Sequence, residues 1–161
     1  QLGEKAPLSK SVFFAEFSSF TEEIMNEEMT RKWNVLKDVR GEITKALEIA
    51  RRQKVIGHPL EAEVFIKADV ELDSFLQTEW QAIKEISIVS ALSRVDQIVS
   101  TEVEPFESEE IAGLIVMVKP AAGEKCERCW TRSTSVGKDE QHPTICERCT
   151  AVLEDMELET E

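Results

Sequence analysis

Glycine and proline are scarce, 6 and 5 residues among 161, and no apolar run approaches membrane-spanning length. The first scarcity argues against a low-complexity or largely disordered chain, and 42% hydrophobic with 32% charged residues fits a globular one. The second leaves no candidate for a spanning helix, so no membrane partner is expected. Residues 1–20 lack the charged start, apolar core and cleavage site of an export signal, and are otherwise weakly informative. Histidine is limited to His58 and His142, and neither a G-x-x-x-x-G-K-[ST] nor a G-x-G-x-x-G phosphate cradle occurs. No internal repeat is present. The chain opens on Gln rather than Met, which reads as a segment of a longer protein.

Cysteine is confined to one stretch, KCERCWTRSTSVGKDEQHPTICERC, residues 125–149. Its spacing is Cys126-x2-Cys129, then sixteen residues, then Cys146-x2-Cys149. With nothing pointing to export, a reducing compartment is expected, and there a four-cysteine framework is more often a metal site than a pair of disulfides. Each C-x2-C puts two sulfurs on one tight turn, and two such turns supply the tetrahedral thiolate set that zinc prefers. Iron and a redox dithiol are the alternatives. Four ligands leave no open position for water or substrate, so a structural ion is expected and no catalytic residue is assigned. Residues 124–155 offer few large apolar side chains, chiefly Trp130, Val136, Ile145, Val152 and Leu153, so metal binding has to replace the missing core. His142 and His58 are read as surface residues.

The net charge of −13 argues against a phosphate-bearing partner, yet the average hides a contrast. Residues 31–58 hold eight bases, Arg31, Lys32, Lys37, Arg40, Lys45, Arg51, Arg52 and Lys54, against three acids, Asp38, Glu42 and Glu48. Apolar residues Met29, Trp33, Leu36, Val39, Ile43, Leu47 and Ala50 recur there at intervals of three or four, predicting a long amphipathic helix over 26–54 that Gly57 and His58-Pro59 stop. The bases lie mostly off that stripe. They either solvate the helix or form a strip facing phosphates, with Arg40, Arg51, Arg52 and Lys54 the candidates.

Beyond Pro59 the sequence predicts a strand at 62–67, a helix at 73–86 capped near Asp69–Asp73, and further strands at 86–95 and 113–118. Residues 101–110 read as an acidic loop. The sum is an α+β chain: a helical part that contains the long helix, residues 1–58; a small α/β unit of about three strands, residues 59–121; and a four-cysteine zinc ribbon with a fraying acidic tail, residues 122–161. Pro120-Ala-Ala-Gly123 is the expected hinge between the last two.

At this point GEKCERCW and TSVGKDEQHPTICERC resemble the C-terminal zinc module of bacterial-type isoleucyl-tRNA synthetases. KWNVLKDVRGEITKALEIARRQKVIGHPLEAEV is similar to the last helix of that family's anticodon-binding domain and the crossing into its junction domain. The two stretches cover most of residues 26–150. The resemblance implies an ATP-dependent isoleucine–tRNA ligase as parent, with tRNA(Ile) and the parent's catalytic and editing domains as partners, a single structural Zn²⁺, and a monomer in the cytoplasm or, alternatively, in a plastid or mitochondrion. HIGH-type and KMSKS-type signatures are missing here, so this segment is expected to bind and not to react. The positions matching the module's recognition surface are Arg128 and Trp130. Arg128 could instead neutralise the thiolates, and Trp130 could instead pack beside the metal.

A C-terminal zinc finger of this kind also resembles that of formamidopyrimidine-type DNA glycosylases, the alternative reading. Their N-terminal catalytic Pro-Glu pair is missing, and the α/β unit finds no explanation there. A purely structural zinc ribbon for protein contacts leaves the basic helix unexplained.

Overall fold

The computed structural model describes residues 26–98 and 104–158; the stretch 1–20 and the first part of the expected acidic loop lie outside the described residues. The chain divides into two compact units, residues 1–33 and 34–161. Of the first, only the start of helix α1 (Glu27–Arg52) is described. Asn26 opens it, its Oδ1 accepting the Met29 N–H at 3.0 Å, which satisfies one of the unpaired donors of a helix N-terminus. Met29 and Trp33 are exposed.

In the second unit the predicted stripe of α1 turns inward from Leu36. Leu36, Val39, Ile43, Leu47 and Ala50 are buried as the spacing requires, and so are Ala46 and Glu42. The helix ends with Lys54 in a left-handed conformation (φ 60°). A single 3-10 turn, Pro59–Glu61, follows. His58 starts it and has a definite task, its Nδ1 accepting the Leu60 N–H at 3.2 Å.

Strand β1 (Ala62–Lys67) alternates buried Ala62, Val64 and Ile66 with half-buried Glu63, Phe65 and Lys67, the period-two signature of a strand with one face on a core. Asp69 caps helix α2 (Val70–Thr78) by accepting the Leu72 N–H at 2.9 Å. The single helix expected over 73–86 is two. Glu79 sits off helical geometry (φ −102°, ψ 20°), and α3 (Trp80–Ser87) starts anew beyond it. Strand β2 (Ala91–Arg94) then lies parallel to β1. The tract 86–95, expected to be extended throughout, spends Ile86 and Ser87 finishing α3.

The sheet holds four strands in the order β2-β1-β4-β3, where three were expected. The extra one is β3 (Phe106–Glu107), inside the acidic loop, antiparallel to β4 (Ile115–Pro120). β4 in turn pairs antiparallel along all of β1. Leu76 and Ile83 from the short helices, Leu92, Leu114, Val116 and Val118 from the strand side, and the inward face of α1 form one continuous core.

Glu42 shows why an acid belongs in that stripe. Its carboxylate accepts from Ser108 Oγ (2.5 Å) and pairs with Lys45 Nζ (2.7 Å), which also reaches Glu110 (2.6 Å). Burial opposes the charge, but Lys45 and Ser108 outweigh it and hold the carboxyl below its ordinary value. A buried carboxylate is tolerated because it is paired and hydrogen-bonded. Arg40 likewise reaches across, its Nε donating to the Ile86 carbonyl at 2.8 Å.

Past Gly123 a two-strand ribbon, β5 (Glu124–Lys125) with β6 (Arg132–Ser133), opens the cysteine module. Helix α4 (Glu147–Leu158) closes it. The acidic tail is therefore helical through Leu158 and does not fray from Cys149 on. Gly123 has φ +88°, and a Cβ there would lie 2.2 Å from the Ser133 carbonyl carbon and 2.3 Å from its oxygen. Gly123→Ala is expected to lower the module's stability by more than about 2 kcal/mol, since left-handed strain adds to a backbone clash that no side-chain motion relieves. Thermal unfolding followed by metal release would register it.

Candidate metal centre

Both cysteine pairs lie on tight backbone turns. In the β5–β6 connection Cys126 donates its N–H to the Thr131 carbonyl (2.9 Å), and the Trp130 N–H returns to the Cys126 carbonyl (2.9 Å). At the other end Cys146 immediately precedes α4, and its carbonyl accepts from the N–H groups of Cys149 (2.8 Å) and Thr150 (3.0 Å). The local hydrogen bonds thus place two sulfurs per turn, as the C-x2-C spacing predicts.

The four sulfurs lie within 4.8 Å of one another. Cys126 Sγ is 3.8 Å from Cys149 Sγ, and Cys129 Sγ is 3.7 Å from Cys146 Sγ. A tetrahedron with metal–sulfur bonds of about 2.3 Å has edges of about 3.8 Å, whereas a disulfide needs about 2.05 Å. The thiols are unpaired and fit zinc.

Their surroundings favour the ionised form unevenly. Burial opposes ionisation of Cys126, but the backbone N–H groups of Cys129, Cys146 and Arg128 outweigh it and bring the thiol down to about 6. Cys129 is also lowered: burial works against it, and the Thr131 hydroxyl, 3.0 Å away, and N–H work for it. Cys146 goes the other way, pushed up to about 12 by burial and by the three neighbouring thiols, despite the Cys149 N–H. A divalent cation supplies the charge that would hold Cys146 as a thiolate. Zn²⁺ with four thiolates carries −2, and Arg148 answers it: the Cys129 sulfur is the first cause that raises its guanidinium, ahead of Cys149 and Cys146. Sequence reasoning offered Arg128 for this task. Arg128 contributes its backbone N–H to Cys126, while its exposed side chain has no partner among the described residues.

Apart from the cysteines, this small cluster contains only Val136 and Ile145, both partly buried. The metal is structural, and no ligand position is left for substrate. His142 is half-buried and outside the sulfur cluster.

Trp130 is 59% exposed, so it is not packed beside the metal. It holds φ +68°, a left-handed conformation that bulky residues seldom adopt. Lys125 Nζ lies 5.1 Å from its ring centroid, close enough for a cation–π contact. Lys125 and Arg148 both escaped sequence reasoning. The signal available was that Lys125 and Trp130 bracket the first C-x2-C turn. Elsewhere, Glu48 binds Arg51 through two contacts (2.7 and 2.9 Å) and Arg52 at 3.4 Å, and its carboxyl falls to about 2, first through Arg51. Lys54 has no side-chain partner among the described residues and lines an open hollow with Arg51, Gly57 and Glu61.

Residues 123–152 match the family described as "Zinc finger found in FPG and IleRS". The chain is 52% identical over 158 residues, 98% of its length, to the isoleucine–tRNA ligase of Desulfotalea psychrophila. It is 44% identical over 133 residues to that of Desulfitobacterium hafniense and 42% over 127 residues to that of Geobacillus thermodenitrificans, 80% and 79% of its length. It spans 17%, 14% and 14% of these curated relatives. The chain thus matches the C-terminal region of bacterial isoleucine–tRNA ligases. Because the zinc finger occurs in both families that its description names, the deciding similarity is the one upstream of it. It runs through the α/β unit and does not favour the DNA glycosylase. Among the described residues no helix is long and apolar enough to cross a membrane.

Proposed function

We propose that this chain is the RNA-gripping C-terminal part of an isoleucine–tRNA ligase, holding the anticodon end of tRNA(Ile) while catalysis proceeds in the parent's other domains. The observation that carries the reading is Trp130: a large aromatic ring, exposed, beside a lysine, in a backbone conformation that favours glycine. Strain of that kind clusters at functional positions. An exposed ring with a nearby cation is what unpaired bases stack on, and anticodon bases are unpaired.

Arg128, two residues away with its side chain free among the described residues, supplies hydrogen bonds to a base edge or phosphate. The basic strip of α1 supplies the sequence-independent grip. Lys54 leads it, since its charge has no partner among the described residues. Arg51 and Arg52 would exchange Glu48 for phosphate, and Arg40 would add to them while keeping its bond to Ile86. On this reading residues 1–58 end the anticodon-binding domain, 59–121 form a junction and 122–161 the zinc module of a cytoplasmic enzyme.

Fluorescence anisotropy tests it. The chain is expected to bind a tRNA(Ile) transcript at least about tenfold more tightly than an unrelated tRNA, with affinity falling steeply as salt rises because phosphate contacts release counterions. Equal affinity for both transcripts, or preference for duplex DNA carrying a damaged base, defeats the reading.

A further inference from the structure

The Pro120–Gly123 linker, expected as a hinge, is bridged by a second connection. Ser90 stands between α3 and β2. Its N–H donates to the Ala62 carbonyl (3.1 Å), its hydroxyl donates to the Leu60 carbonyl (2.5 Å), and the same oxygen accepts the Arg132 N–H (2.7 Å). Arg132 begins β6 in the cysteine module; Leu60 lies in the 3-10 turn before β1. Next to Leu60, the Glu61 carbonyl accepts the Ala121 N–H at 2.7 Å. The Leu60–Glu61 pair is therefore tied to the module twice, once at the linker and once, through Ser90, at the far strand of the ribbon.

A hydroxyl suits that second tie. A carbonyl accepts and an amide N–H donates, and the Ser90 oxygen donates to the one and accepts from the other with a single atom. The approach to Ser90 is itself constrained. Ile88, two residues earlier, is β-branched yet left-handed (φ 52°, ψ 52°) and exposed. Such a conformation costs about 1–2 kcal/mol and persists only where the surroundings fix it.

We infer that Ser90 is a positioning residue, a hydroxyl latch that turns a swivelling zinc module into one held at a fixed angle to the sheet. Because β6 starts two residues after Trp130, the latch also sets where that ring points. The mechanical coupling holds whether or not the chain grips RNA; the effect on RNA rests on the reading above.

The test compares Ser90→Thr with Ser90→Val, side chains of one shape that differ in the hydroxyl, using amide hydrogen exchange at Arg132 in the whole chain. Ser90→Thr is expected to keep the wild-type rate within about twofold, while Ser90→Val speeds exchange by about tenfold, the worth of one hydrogen bond. Zinc is retained in both. If Thr and Val behave alike, the latch is refuted. In the parent enzyme Ser90→Val should raise KM for tRNA and leave kcat unchanged, with Ser90→Thr restoring KM. Faster Arg132 exchange with an unaltered KM for tRNA upholds the mechanical latch and refutes its setting of the Trp130 ring, whereas equal binding of tRNA(Ile) and an unrelated tRNA by the wild-type chain defeats the RNA reading and leaves the latch standing.

Discussion

Replacing Cys146 by Ser is expected to abolish tight zinc binding and to unfold residues 124–150, while α1 and the four-stranded sheet stay folded. The expectation follows from the separation of the two clusters. The sheet unit has its own continuous core, whereas Val136 and Ile145 are the only other apolar side chains clustered with the cysteines among the described residues. Two such side chains contribute about 1.5–3 kcal/mol each even when fully buried, far less than the conformational entropy of ordering some thirty residues. Structural zinc contributes about 10–16 kcal/mol in modules of this size, so the metal decides whether this one folds. Cys146 is the apt target because burial and its sister thiols disfavour its ionisation without metal, and its carbonyl starts the turn that places Cys149. Elemental analysis should fall from one zinc per chain to none. In amide spectra the signals of 124–150 should collapse toward random-coil positions, those of Leu36–Ala50 and β1 remaining in place. Loss of the long helix along with the metal would show that the clusters do not fold separately, and a module that stays folded without zinc would refute the structural role.

How far the sequence already spoke can be judged element by element. Helix α1, strand β1 and the four ligands were legible because each rests on local periodicity or spacing, and Asp69 was legible as a cap because its oxygen bonds a donor three residues away. The features that went unread depend on distant partners. β3 is two residues long and exists only as a neighbour of β4. Glu42 looks like an exposed acid until Ser108, 66 residues on, closes over it. α4 is acidic and weakly patterned, and what starts it is a cysteine turn that the metal holds together. Ser90 and Arg132, 42 residues apart, carry no mark of their pairing. Even at the metal centre, spacing identified the ligands but could not name Arg148 as their countercharge, because that depends on how α4 is turned.

Trp130→Gly is expected to separate stability from recognition, making the module no less stable while weakening its hold on tRNA. Most exposed residues can be replaced with little effect either way, but this one sits at φ +68°, where a residue bearing a Cβ is strained by about 1–2 kcal/mol and glycine is not. Relief of that strain offsets the larger backbone entropy that glycine loses on folding, about 0.5–1 kcal/mol. The ring contributes little packing in return, being mostly exposed with Lys125 above it. Midpoint temperature and zinc retention should therefore stay level or rise. Affinity for tRNA(Ile) should fall by about tenfold or more, the loss of a base–aromatic stack worth about 1–3 kcal/mol. Trp130→Phe, which keeps a ring at the same backbone position, should recover part of the affinity and none of the stability. For the strained tryptophan to be a binding device, affinity must fall without any fall in stability. A fall in zinc retention and RNA affinity together would make the ring a packing element, and unaltered affinity in a stabler module would leave the strain without an RNA-binding purpose.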